Sequence, residues 1–193
     1  MRRPPLLGVI GSGTVLPDAE PYELALAVGR ATASRGALVL CGGRGGVMEA
    51  AARGAREAGG RSIGILPGLE GEGDANPFVD CAIHTGLGDG RNYVNVRTAD
   101  AVVALAGEEG TLSEIALALK IGVPVVYLRA WEFLHAQPPF AADWTASPEE
   151  AVEIALRHAG VRPGEPFDQP LRYPDLPEQS SRRRAVEEFL AGL

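Results

Sequence analysis

The sequence predicts an α/β fold: a Rossmann-like, doubly wound, mainly parallel sheet with helices on both faces. Three observations predict it. Short apolar runs of strand type alternate with stretches of helical periodicity along most of the chain. Several of those runs end in a glycine turn that feeds directly into a helical stretch. Runs such as Ala37-Leu38-Val39-Leu40-Cys41 are apolar throughout, as strands covered on both faces are.

Taken in order, Leu6 to Ile10 is the first strand and Gly11-Ser12-Gly13-Thr14 its turn. Tyr22 to Ala33 places Leu24, Ala27, Val28 and Ala31 at helical spacing. Leu38 to Cys41 is the second strand, followed by Gly42-Gly43-Arg44-Gly45-Gly46 and a helix from Met48 to Ala58 that Gly59-Gly60 stops. Ser62 to Leu66 is a third strand ending at Pro67-Gly68. Leu69 to Pro77 is a polar, glycine-rich loop, and Phe78 to Ile83 a short fourth strand. Gly86 to Asn92 leads into a helix through Val96. Ala101 to Leu105 and Pro124 to Leu128 are the last two strands, with a helical run from Ile115 to Ile121 between them. Ser147-Pro148-Glu149-Glu150 supplies an N-cap, a proline at the first helical position and a capping-box glutamate, starting a helix that runs to about His158. The division expected is a Rossmann-like nucleotide- or phosphate-binding domain over 1–160. A proline-rich extension over 161–193 follows, with a short helix from Ser181 to Leu190.

Composition narrows the function. A chain of 193 residues with 46% hydrophobic content fills one sizeable core. A formal charge of −7 argues against general nucleic-acid binding, and Arg182-Arg183-Arg184 reads as the solvated start of the last helix beside Glu187 and Glu188. No run is long enough to span a bilayer, and no signal peptide is evident, so the expectation is a cytoplasmic protein with Cys41 and Cys81 as reduced thiols. His84, His135 and His158 show no zinc spacing, so no metal site is expected. Lys120 is the only lysine among 18 basic residues, and no glycine loop ends in Lys-Ser or Lys-Thr, which excludes a P-loop NTPase. Pyridoxal-phosphate chemistry would have Lys120 alone to work with, and that residue closes a helix whose dipole it complements.

The chemistry concentrates at two turns. Ala106-Gly107-Glu108-Glu109-Gly110-Thr111-Leu112-Ser113-Glu114 passes from a strand into a helix, where unpaired backbone N–H groups and the helix dipole attract an anion. Thr111 adds a hydroxyl, and Glu114 lies one helical turn further along the same side. Gly42 to Gly46 repeats the design after the second strand. In such sheets the ligand sits at the carboxyl ends of the strands, the edge on which Gly11, Gly42, Pro67 and Gly107 all fall. An ordinary dinucleotide site is not expected. Gly11-Ser12-Gly13 lacks the third glycine of that fingerprint, since position 16 is Leu16. The second strand is also not followed by the acid that holds a ribose.

Cys41 to Ala50, Gly110-Thr111-Leu112-Ser113-Glu114 and the intervening Gly90-Arg91-Asn92 together resemble the Lonely Guy (LOG) family, long mislabelled as lysine decarboxylases. The resemblance runs from Leu6 to about Leu128 and is closest to the bacterial branch that also resembles molybdenum-cofactor carrier proteins. It implies a Rossmann-like domain that forms a homodimer or higher homo-oligomer and binds a small phosphate-bearing ligand; the charge and the lack of a spanning run argue against nucleic acid or membrane as partner. Enzymes of the family hydrolyse the N-glycosidic bond of a nucleoside 5′-monophosphate to base and ribose 5-phosphate. On this resemblance Arg91 and Glu114 are the catalytic pair. The ligand would be held by Gly11, Ser12, Gly42, Gly43, Gly45, Gly46, Met48, Asn92, Gly107, Gly110 and Thr111. No cofactor is required. The bound molecule would be a nucleotide monophosphate or, in the alternative of a non-catalytic carrier, a molybdopterin-type ligand.

The sequence departs from that pattern at Glu108, which stands where the family has a glycine, and at Glu49, where the hydrolases have Met-Gly. Two carboxylates, Glu108 and Glu109, beside an anion site oppose binding unless they turn to solvent or meet Arg44 or Arg91. A like-charged pair at ~4 Å costs about 1 kcal/mol in water and several times that when partly buried.

Overall fold

A computed structural model of the chain describes residues 3–69, 75–130 and 142–161. Seven strands form one parallel sheet: β1 (Leu6–Ile10), β2 (Leu38–Cys41), β3 (Ser62–Leu66), β4 (Cys81–His84), β5 (Ala101–Ala104), β6 (Val125–Leu128) and β7 (Ala142–Thr145). Their order is β4-β3-β2-β1-β5-β6-β7, so the winding reverses beside β1. The helices are α1 (Glu20–Ser34), α2 (Val47–Glu57), α3 (Arg91–Thr98), α4 (Glu109–Ile121) and α5 (Pro148–His158). A 3-10 turn over Gly88–Gly90 leads into α3. The expected α/β, doubly wound, parallel architecture is the one observed. The extension beyond Val161, with its terminal helix and arginine run, lies outside the described residues, as does His135.

Two apolar layers sandwich the sheet, and the strands supply both by alternation. Leu7, Val9, Val39, Cys41, Val103, Val126 and Leu128 face one side, where α1, α2 and α5 cover them. Ile10, Leu40, Val102, Ala104, Val125 and Tyr127 face the other, beneath α3 and α4. The first layer is drawn tight where α1 crosses α2. A Cβ on Gly54 of α2 would lie 2.0 Å from the carbonyl oxygen of Leu26 in α1.

Several details differ from the sequence reading. The helix after β5, α4, begins at Glu109, well before the Ile115 at which the helical run was expected. The fourth strand begins at Cys81 rather than Phe78, because the Asp80 carboxylate is occupied in accepting from the backbone N–H of Ser62 at 2.8 Å. A seventh strand, β7, was not expected. It pairs with β6 at the sheet edge and stacks Trp144 on Tyr127, ring centroids 4.3 Å apart. The cap of α5 forms as expected, Ser147 Oγ accepting from the Glu150 N–H at 3.3 Å. The reciprocal half of the box does not form. Thr145 takes its place, accepting from the Ser147 N–H at 3.0 Å and donating to the Glu150 carboxylate.

The α1–α2 crossing yields a stability test. Gly54→Ala introduces a better helix former, worth about 1 kcal/mol. The added methyl, however, meets a backbone carbonyl that cannot rotate aside, and overpacking of this kind costs about 1–3 kcal/mol. The expected net result is a lower urea midpoint with an unchanged slope. A midpoint at or above that of the native protein would mean that the two helices separate without cost.

Candidate functional site

The turns after β1, β2 and β5 converge at the carboxyl edge of the sheet, beside the reversal of winding. They are bonded to one another through backbone groups. The N–H of Ser12 donates to Ala106 O at 3.0 Å, and the N–H of Val47 donates to Ser12 O at 3.0 Å. The second contact requires glycine at position 46, where φ is +62° and a Cβ would lie 2.3 Å from Ser12 O. Between the turns and the start of α3 lies a cleft of about 410 Å³.

Most of the residues expected at the site line this cleft: Gly11, Ser12, Gly42, Gly45, Met48, Arg91, Asn92, Gly110, Thr111 and Glu114. Gly43, Gly46 and Gly107 do not line it and shape the turns from behind. Neither Gly46 at the start of α2 nor Glu108 at the start of α4 caps its helix with a side chain. Both helix N-termini therefore keep backbone N–H groups for an outside acceptor. Thr111 is buried and makes no side-chain hydrogen bond among the described residues. Arg44 is exposed at the rim, with no ion pair among the described residues.

Arg91 and Glu114 come together from different elements, the first residue of α3 and the second turn of α4. Their nearest atoms are 3.9 Å apart, close enough for ionic attraction and too far for a hydrogen bond. Arg91 packs over Gly42, where a Cβ would collide with the guanidinium at 1.9 Å. The hydrogen bond to Glu114 comes instead from Asn95 Nδ2, at 2.8 Å. Burial pushes the Glu114 carboxyl above the usual range, with the Asn95 bond and the Arg91 charge pulling the other way. The other end of the same amide, Asn95 Oδ1, is buried in the cleft wall without a partner among the described residues. A buried acceptor left unpaired is costly, and a ligand N–H or O–H would satisfy it.

Four contributors escaped the sequence reading. Asn95 lies one helical turn beyond Arg91, a spacing that marks it as a cleft residue once Arg91 is taken as one. Asn76 sits in the loop before β4 and clamps the second glycine turn, its Nδ2 donating to Gly43 O at 3.1 Å and Arg44 O at 2.8 Å. Asp89 and Thr14 also line the cleft. Asn92, expected to touch ligand, donates to Ser113 Oγ at 2.9 Å and ties α3 to α4. Glu109 is exposed, one of the two alternatives foreseen. Glu108 is exposed as well and meets no arginine among the described residues, but its Oε1 also accepts from Ser12 Oγ at 3.2 Å and Thr14 Oγ1 at 3.0 Å.

The position of Glu114 fixes a pH dependence. Its raised pKa means that the folded state holds the proton more tightly than the unfolded chain does. Its contribution to stability is therefore full in acid and lost as the pH rises through the folded value. Glu114→Gln removes that loss. Relative to the native protein, the variant is expected to gain stability between acid and neutral pH in urea unfolding. A difference that stays constant across this window would mean that burial does not perturb the carboxyl.

Several known proteins are similar to this chain in sequence or in structure. An uncharacterized protein of Archaeoglobus fulgidus is 39% identical over 150 residues, which is 78% of this chain and 93% of its own. The molybdenum cofactor binding protein of Rippkaea orientalis superposes with a TM-score of 0.69 at 36% identity, over 80% of this chain and 96% of its own. The molybdenum cofactor carrier protein of Chlamydomonas reinhardtii does so with a TM-score of 0.67 at 33% identity, over 82% and 99%. The model of the SLOG cluster4 family matches residues 4–154, across every strand and the body of α5, and the chain belongs to that family.

Proposed function

We propose that this chain binds a phosphate-bearing ligand of nucleotide or molybdopterin type in the cleft and carries it rather than transforming it. The observation that carries the reading is the convergence of two helix N-termini without side-chain caps, α2 and α4, on one cleft with the Arg44 guanidinium, which has no ion pair among the described residues, at its rim. That combination suits a phosphoryl group. The buried acceptor Asn95 Oδ1 suits a ring or sugar that brings a hydrogen-bond donor. What the proteins of Rippkaea and Chlamydomonas bind supports the molybdopterin arm.

The test begins with the purified protein, whose bound material is oxidised and examined for pterin fluorescence, followed by titration with nucleoside monophosphates. Thr111→Ala removes one hydroxyl from the cleft and is expected to weaken binding about fivefold, or roughly 1 kcal/mol. Arg44→Ala is expected to weaken it as well and to flatten its dependence on salt. Affinities unmoved by both changes would place the phosphate elsewhere.

A second reading is favoured by Arg91 and Glu114, a guanidinium and a buried carboxyl side by side in the cleft. In the Lonely Guy enzymes that the sequence resembles, the corresponding pair serves glycosidic cleavage. Breaking the C–N bond builds positive charge on the ribose, which an ionised Glu114 would stabilise, while Arg91 would hold phosphate or ribose through its planar fork. Free base released from AMP would establish the activity, and Glu114→Gln should then lower turnover by about 100-fold while the protein stays folded. Undiminished release by a folded Glu114→Gln variant would remove Glu114 from the chemistry. Absence of release by the native protein leaves the carrier reading.

A further inference from the structure

Glu108 has no part in either reading, yet it lines the cleft from its exposed place at the start of α4. In the sheet, β1 lies between β2 and β5, so the turn after β1 separates the start of α2 from the start of α4. A chain of phosphoryl groups reaching from one helix N-terminus to the other has to pass Ser12 and Thr14. Their hydroxyls are the donors that would greet it there. Their two protons serve three contacts: each hydroxyl lies within hydrogen-bond reach of Glu108 Oε1, at 3.2 and 3.0 Å, and the two hydroxyl oxygens lie 2.9 Å apart. The backbone N–H of Thr14 is also spent, donating to Ser12 Oγ at 3.2 Å. A phosphate arriving at this turn finds its donors taken and a carboxylate in their place.

Resting on the proposed phosphate-binding role of the cleft, we infer that Glu108 is a specificity-determining residue that admits one phosphoryl group and bars a second. The single phosphoryl group settles at a helix N-terminus. The turn between the two helices repels any continuation and leaves the unpaired Asn95 Oδ1 for a donor-bearing part of the ligand. Discrimination arises here from a charge placed against the unwanted ligand, not from an added contact to the wanted one.

The experiment compares AMP and ADP binding by calorimetry to the native protein, Glu108→Gln, Glu108→Ala and Glu109→Gln. The native protein should prefer AMP by about tenfold, the scale of one like-charge contact in a partly solvated site. The preference should shrink in Glu108→Gln and vanish in Glu108→Ala, mainly through tighter ADP binding. Glu109→Gln removes the same charge one residue away, from a side chain outside the cleft lining, and should keep the native preference. Gain of ADP binding in the Glu108 variants alone supports the inference, even if the native protein binds neither nucleotide. An AMP-to-ADP ratio equal in all four proteins overturns it while leaving the cleft a phosphate site. A loss of preference in Glu109→Gln as large as in Glu108→Gln also overturns it, since net charge would then be the cause. Binding of neither nucleotide by any of the four proteins means that the ligand class itself is wrong, and the role of Glu108 falls with it.

Discussion

The structure hangs on the contact of three turns at Ser12. The backbone of that one residue is bonded on one side to the turn after β5 and on the other to the first residue of α2. Any side chain at position 46 would part the second of these contacts. Because β1 sits centrally in a parallel sheet, this knot fixes how far the starts of α2 and α4 stand from each other. Everything the cleft can do follows from that spacing. The helix dipoles point into a common space, Arg44 reaches its rim, and Glu114 is carried in from the second turn of α4.

Electrostatics in the cleft are mixed rather than uniformly positive. Two arginines and three carboxylates, Asp89, Glu108 and Glu114, share its lining. A site built only to hold highly charged phosphate would favour cations throughout. Here Glu114 is shielded by burial and accepts from an amide, and Glu108 accepts from two hydroxyls, so neither of these two takes its hydrogen bonds from an arginine. The arginines are thereby left to act on whatever enters. Arg91 has its path cleared by a glycine beneath it, and Arg44 has no ion pair among the described residues.

The sheet was legible in the sequence because its strands are covered on both faces and announce themselves as unbroken apolar runs. The edge strand β7 was not. Ala-Asp-Trp-Thr has no such run, and its pairing depends on β6 and on the stacking of Trp144 over Tyr127, a contact between residues far apart in sequence. The same contrast holds in the cleft. Glycine turns feeding helices are local signals, and ten of the thirteen residues expected at the site line it. Asn76 and Thr14 act through bonds to distant loops and leave no local trace. The direction taken by Glu108 was likewise undetermined, because a carboxylate beside two arginines has an obvious partner in sequence terms. Only the fold brings Ser12 and Thr14 nearer.

The two thiols of this chain live in opposite surroundings. Cys41 ends β2 beneath the second glycine turn, fully buried, with its Sγ near Met48 O and its pKa pushed up to about 11 by loss of solvent. Cys81 lies exposed on the edge strand β4. An alkylating reagent at neutral pH therefore meets one thiol that reacts at once and one that stays silent until the glycine turn lifts away from the sheet. The pair thus gives the chain an internal reference, one thiol open to solvent and one closed off at the end of β2. A slow phase of thiol modification would report the exposure of Cys41, and a molecule that presses the turn down onto β2 would lengthen it.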